Sequence, residues 1–77
     1  MASQNVNSPL ARNFFFIKSR FNGLVLDLEG GRVMAGTPVI TWDRKLIGHD
    51  NQLWYEEPAT MTIKNKKTGH CLDLLRE

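Results

Sequence analysis

The chain has a single cysteine, Cys71, in 77 residues, so no disulfide can close within it. The zinc spacings built on paired cysteines are excluded with it. A lone thiol fits a reducing compartment without establishing one. Long apolar runs are also missing. The stretch Phe14-Phe15-Phe16-Ile17 falls far short of the roughly 20 residues that cross a bilayer. Residues 1–13 are polar, contain Pro9 and Arg12, and lack the apolar segment of a secretory signal. These absences lead to the expectation of no membrane insertion, with the chain in the cytoplasm or exported by a non-classical route. An excess of one charge is lacking too. A net charge of +2 with the signs interspersed is too weak to indicate a nucleic acid or an anionic membrane as partner. No segment sustains a capped helical period. Nucleophile–base pairs, phosphate loops and metal-ligand sets are not found, so neither an enzyme nor a cofactor nor a metal site is expected. His70 and Cys71 read most simply as a turn residue and a core residue.

What is present is an ordinary globular balance, 42% hydrophobic and 23% charged. A domain this small buries only roughly 60% of its unfolded surface, so its stability is marginal. Residues 1–13 read as a flexible tail. From Phe14 onward, short apolar stretches alternate with turn signals, which predicts an all-β fold with almost no α-helix. Strands are expected over 14–19, 24–29, 37–42 and 52–55, with turns at Asn22-Gly23, Gly30-Gly31, Gly36 and 58–60. In the second strand, Leu24, Leu26 and Leu28 share one face, and Val25, Asp27 and Glu29 share the other. The leucines are expected in the core with Ile17, Val39, Leu53, Trp54 and Ile63. The Trp54 indole N–H there needs an acceptor. Lys64 to Lys67 reads as a solvated hairpin face.

The sequence also repeats. Residues 16–28 align with 62–74 without a gap, and Ile17, Lys18, Gly23, Leu26, Asp27 and Leu28 recur as Ile63, Lys64, Gly69, Leu72, Asp73 and Leu74, each 46 residues later. Any two hairpins would share the glycine and the apolar positions, but not the aspartate. One supersecondary unit used twice accounts for all six. The first repeat then spans 14–57, and 58–77 begins the second.

Leu26-Asp27-Leu28, Gly36-Thr37-Pro38-Val39-Ile40-Thr41-Trp42 and Asp50-Asn51-Gln52-Leu53-Trp54 together resemble the ricin B-chain-type lectin repeat, whose closing Gln-x-Trp is Gln52-Leu53-Trp54. The resemblance covers nearly everything outside the tail. It implies a β-trefoil, here partial: one full repeat plus the first hairpin of the next. It also implies a carbohydrate-binding module that recognises galactose- or GalNAc-type sugars, similar to invertebrate galactose-binding lectins.

Sugars of this type present hydroxyls on one side and a patch of C–H groups on the other. A shallow site for them needs an aromatic platform and a few fixed polar groups. Asp27, Trp42 and Asn51 supply a charged acceptor, a platform and an amide, at the positions that ligate sugar in the family. Taken singly, each has a plainer reading: a solvated strand carboxylate, a core tryptophan and a turn residue. Gln52 is implied to orient the aspartate, and Gly30 lies in a bend that contributes a backbone contact. Lys45 and His49 are expected at the rim. At Ile40 the plant-toxin pattern carries a glutamine, so one polar contact is lost and weak monosaccharide affinity is expected.

The competing reading is a β-trefoil used for interaction or structure without sugar, or a targeting fragment of a larger protein. An exposed Trp42 beside a converging Asp27 and Asn51 discriminates in favour of sugar. One and a half repeats would leave sheet edges open, so the expectation is a longer parent chain that completes the trefoil, or self-association.

Overall fold

Four stretches of β-branched, aromatic and alternating residues become strands in the computed structural model, which describes residues 12–73. They are β1 (Val25–Leu28), β2 (Val39–Trp42), β3 (Trp54–Glu57) and β4 (Thr62–Asn65). β1 and β2 pair antiparallel with Val25 opposite Trp42 and Asp27 opposite Ile40, and β3 and β4 pair antiparallel with Trp54 opposite Asn65. Short 3-10 turns occupy Glu29–Gly31 and Asp50–Gln52, and the described residues contain no α-helix. The expected tail lies almost wholly outside the described residues.

Two expected strands are corrected. Residues 14–19 form no continuous strand, because their partners lie on different elements. Phe15 exchanges both backbone bonds with Trp54 at 2.9 Å, while Lys18 bridges to Val25. The strand expected over 52–55 starts later, at Trp54. Gln52 N–H donates to His49 O at 2.8 Å and Leu53 N–H to Asp50 O at 3.3 Å, so local turn bonds take the backbone first.

The internal repeat is reproduced bond by bond. Ser19 N–H donates to Leu24 O and Gly23 N–H to Ser19 O; Asn65 N–H donates to His70 O and Gly69 N–H to Asn65 O. Leu26 N–H reaches Ile17 O at 2.9 Å, as Leu72 N–H reaches Ile63 O at 2.8 Å. Gly23 and Gly69 hold φ of 77° and 78°, a left-handed conformation that glycine adopts without steric cost.

The core centres on Val25, Leu28, Leu53, Trp54 and Tyr55. Trp54 meets its expected need, its indole N–H donating to Leu26 O at 3.3 Å. The expected one-sided burial of β1 is not observed. Val25 and Asp27 are buried, while Leu24 and Leu26 are only half-buried. Hydrogen bonds from the Asp50–Gln52 turn cover the second face. Val39, expected inside, is exposed, and Ile17 and Ile63 are half-buried. The lysine-rich hairpin is not simply solvated either. Lys64 pairs with Glu57 at 2.6 Å and Lys66 with Asp50 at 3.2 Å. Lys67 lies across Gly31, its Nζ 2.9 Å from where a Cβ on that residue would stand.

Candidate functional site

The register of β1 on β2 places Val25, Asp27, Ile40 and Trp42 on one face of the ribbon, since directly opposed residues point the same way. Trp42 is the diagonal neighbour of Asp27, at the roughly 7–8 Å spacing that long side chains bridge. Trp42 is 55% exposed and Asp27 3%. A largely open indole therefore stands beside an almost closed carboxylate. The reading of Asp27 as a solvated strand residue is overturned, as is that of Trp42 as core.

Burying a carboxylate costs free energy unless donors replace water. Here two amides do so. Asn51 Nδ2 donates to Asp27 Oδ1 at 3.1 Å, and Gln52 Nε2 donates to Asp27 Oδ2 at 2.9 Å. Each amide spends its second hydrogen on the backbone, Asn51 on Leu28 O at 3.1 Å and Gln52 on Asp43 O at 2.9 Å. The acceptors are used as well. Gln52 Oε1 takes Lys45 N–H at 3.0 Å, and Asn51 Oδ1 takes Lys45 Nζ at 3.3 Å. Asp27 is thus locked in place, with one amide donor on each oxygen and one lone pair left on each.

The remaining expected residues divide by exposure. Gln52 is fully buried with both amide hydrogens committed, so it holds the carboxylate and presents nothing to a ligand. Gly30 is exposed in the bend after β1, at φ 65°. Ile40 is half-buried opposite Asp27. Lys45 reaches the network, as just described. His49 packs edge-on to Phe16, with ring centroids 5.6 Å apart. Among the described residues no group of three or more metal-ligating side chains occurs.

Residues 4–77 match the family described as ricin-type beta-trefoil lectin domain-like. The chain belongs to this family. A relative is mucoricin of Rhizopus delemar, 43% identical over 54 residues, which are 69% of this chain and 37% of that protein. Among solved structures, an earthworm lectin C-terminal domain mutant in complex with 6'-sialyllactose superposes with a TM-score of 0.66 at 42% identity, covering 73% of this chain and 43% of the other. The matched parts of the chain thus cover less than half of either protein. Its all-β fold is a partial β-trefoil, one repeat and the opening hairpin of the next.

One residue that holds this cluster escaped the sequence reading. Asn65, on β4, is fully buried and donates from Nδ2 to Asn51 O at 2.9 Å. Its signal was present in the internal alignment, where it stands opposite Ser19 at a position that is polar in both repeats.

Proposed function

We propose that this chain is a non-enzymatic carbohydrate-binding module for galactose- or GalNAc-type glycans. The observation that carries the reading is the clamped Asp27 carboxylate on the same ribbon face as the open Trp42 indole. The indole offers its face to the C–H patch of a galactose ring. The two free lone pairs of Asp27 accept hydroxyl hydrogens from the polar edge. Asn51 has no hydrogen left to donate, so it contributes its remaining Oδ1 lone pair. A donor to the ligand is the Lys45 ammonium, with hydrogens beyond the one given to Asn51. Gly30 offers backbone in the adjacent bend.

The clamp supports a binding role over a catalytic one. A carboxylate held by two neutral amides is a fixed acceptor, and no partner acid or nucleophile stands beside it among the contacts of the site. The complex of the earthworm relative with 6'-sialyllactose supports a glycan as ligand. Ile40, aliphatic opposite Asp27, supports weak binding of single sugars.

A second reading rests on a different surface. An apolar hollow lined by Leu28, Pro38, Val39, Trp54 and Cys71 supports association with further β-structure, either a longer parent chain or a second copy. A glycan array on the purified chain, with lactose and mannose as competitors, tests the sugar reading. Retention of galactose-terminated glycans that lactose displaces and mannose does not is the expected result. A blank array, or displacement by mannose alone, leaves the interaction module as the function.

A further inference from the structure

We propose that Asn65 of the second repeat is a positioning residue for the site of the first, so that the ligand site of one repeat is set by the opening turn of the next. This rests on the sugar-binding reading above. The comparison of the two repeats separates what Asn65 does for its own turn from what it does for the site.

In the first repeat, Ser19 Oγ accepts Phe21 N–H at 3.1 Å; in the second, Asn65 Oδ1 accepts Lys67 N–H at 3.0 Å. The backbone bonds around both residues match as well. A hydroxyl therefore suffices for the turn. The amide NH2 of Asn65 has no counterpart in Ser19, and it is this group that crosses to Asn51 O at 2.9 Å, in a bond buried at both ends. Asn51 in turn holds Asp27 Oδ1 and Leu28 O. Rotation or displacement of Asn51 would therefore release one of the two donors that fix the carboxylate.

The same hairpin grips the Asp50–Gln52 turn on either side of that contact. Lys66 N–H donates to Leu53 O at 2.8 Å, and its ammonium pairs with Asp50 at 3.2 Å. Lys67 lies across Gly31, in the other turn that borders the site. The Lys66 ion pair is partly exposed and adds little. The Asn65 bond is buried and lands on the site residue itself.

The test is Asn65→Ser, which installs the first repeat's residue, keeps the turn acceptor and deletes the crossing donor. On the 77-residue chain, N65S is expected to melt several degrees below the parent, because the buried Asn51 O loses its donor, and to bind lactose about three- to tenfold more weakly, the scale of one lost neutral hydrogen bond. The Asn51 side-chain amide resonances are expected to move. Parent-like lactose affinity with unmoved Asn51 resonances overturns the proposal. If the parent itself binds no lactose, the sugar reading fails separately, and the Asn51 resonances of unliganded N65S decide: displaced, they sustain the positioning role; unmoved, they end it. Should N65S fail to fold, the through-hydrogen-bond coupling between Asn65 Nδ2 and the Asn51 carbonyl carbon is measured in the parent. A coupling that changes on adding lactose supports the proposal, and its absence overturns it.

Discussion

Asp27 and Trp42 lie on one face of one ribbon, yet substitutions at the two have different consequences. Trp42 is mostly exposed, so Trp42→Ala removes a platform and little packing. Lactose binding by calorimetry is expected to disappear while the melting temperature stays within a few degrees of the parent. A large drop in melting temperature would instead place the indole in the core. Asp27→Asn keeps the shape but replaces an acceptor with a donor. Because both carboxylate oxygens already receive amide hydrogens, the new NH2 must face either Asn51 Nδ2 or Gln52 Nε2. D27N is therefore expected to lose binding and also about 1–3 kcal/mol of stability, the cost of an unsatisfied buried polar group. Urea denaturation checks the second half. An unchanged midpoint would mean the clamp is looser than drawn.

At the scale of elements, the turns decide how the hairpins meet. Gly31 is buried at φ 61°, and its missing Cβ leaves room for the Lys67 side chain. The obstructing atoms are the far end of a flexible lysine, so the backbone conformation outweighs the clash. Gly31→Ala is expected to cost about 1–2 kcal/mol, the penalty of a left-handed L-residue. Adding Lys67→Ala should recover little of it. Full recovery in the double variant would show that crowding dominates. The β3–β4 hairpin carries the Glu57–Lys64 pair. Its hydrogen bond and the lysine's charge hold the Glu57 carboxyl below its ordinary 4.5, with Arg12 adding a smaller pull. The same hydrogen bond raises Lys64 above its ordinary 10.5. A lowered carboxylate contributes stability that is fully present above its unfolded value and lost as pH falls through the folded one. The hairpin should therefore loosen slightly below pH 4.5, and Glu57→Gln should remove that acid-side dependence. The pair lies near the surface, so added salt should shrink the effect.

At the scale of the molecule, much apolar surface stays in water. Phe21, Leu46, Ile47 and Met61 are all highly exposed, and the hollow beside Val39 and Trp54 is open. Patches of this kind drive association. The isolated 77-residue chain is expected to sediment at micromolar concentration as species larger than a monomer. A lone monomer that melts sharply would show that one repeat and a hairpin are sufficient by themselves. The two-hairpin plan itself was legible beforehand. The matched residues 17–28 and 63–74 imposed matched turns because each turn depends on groups only two to five residues apart, such as Gly23 with Ser19 and Gly69 with Asn65.

Local chemistry of this kind is what the sequence determined alone: the hairpins, their glycines and the Gln52-Leu53-Trp54 ending, while the resemblance to the family pointed to Asp27, Trp42 and Asn51 as candidates. Long-range packing decided the rest. Strand alternation marked Leu24 and Leu26 for the interior and Asp27 for solvent, because a period of two reports which residues share a face and not what covers that face. Gln52 and Asn51, 25 and 24 residues further on, arrived as hydrogen-bond donors and buried the polar face instead. Asn65 could not be ranked above any other turn asparagine until its amide was seen against Asn51 O, a contact that exists only once β4 docks beside the Asp50–Gln52 turn.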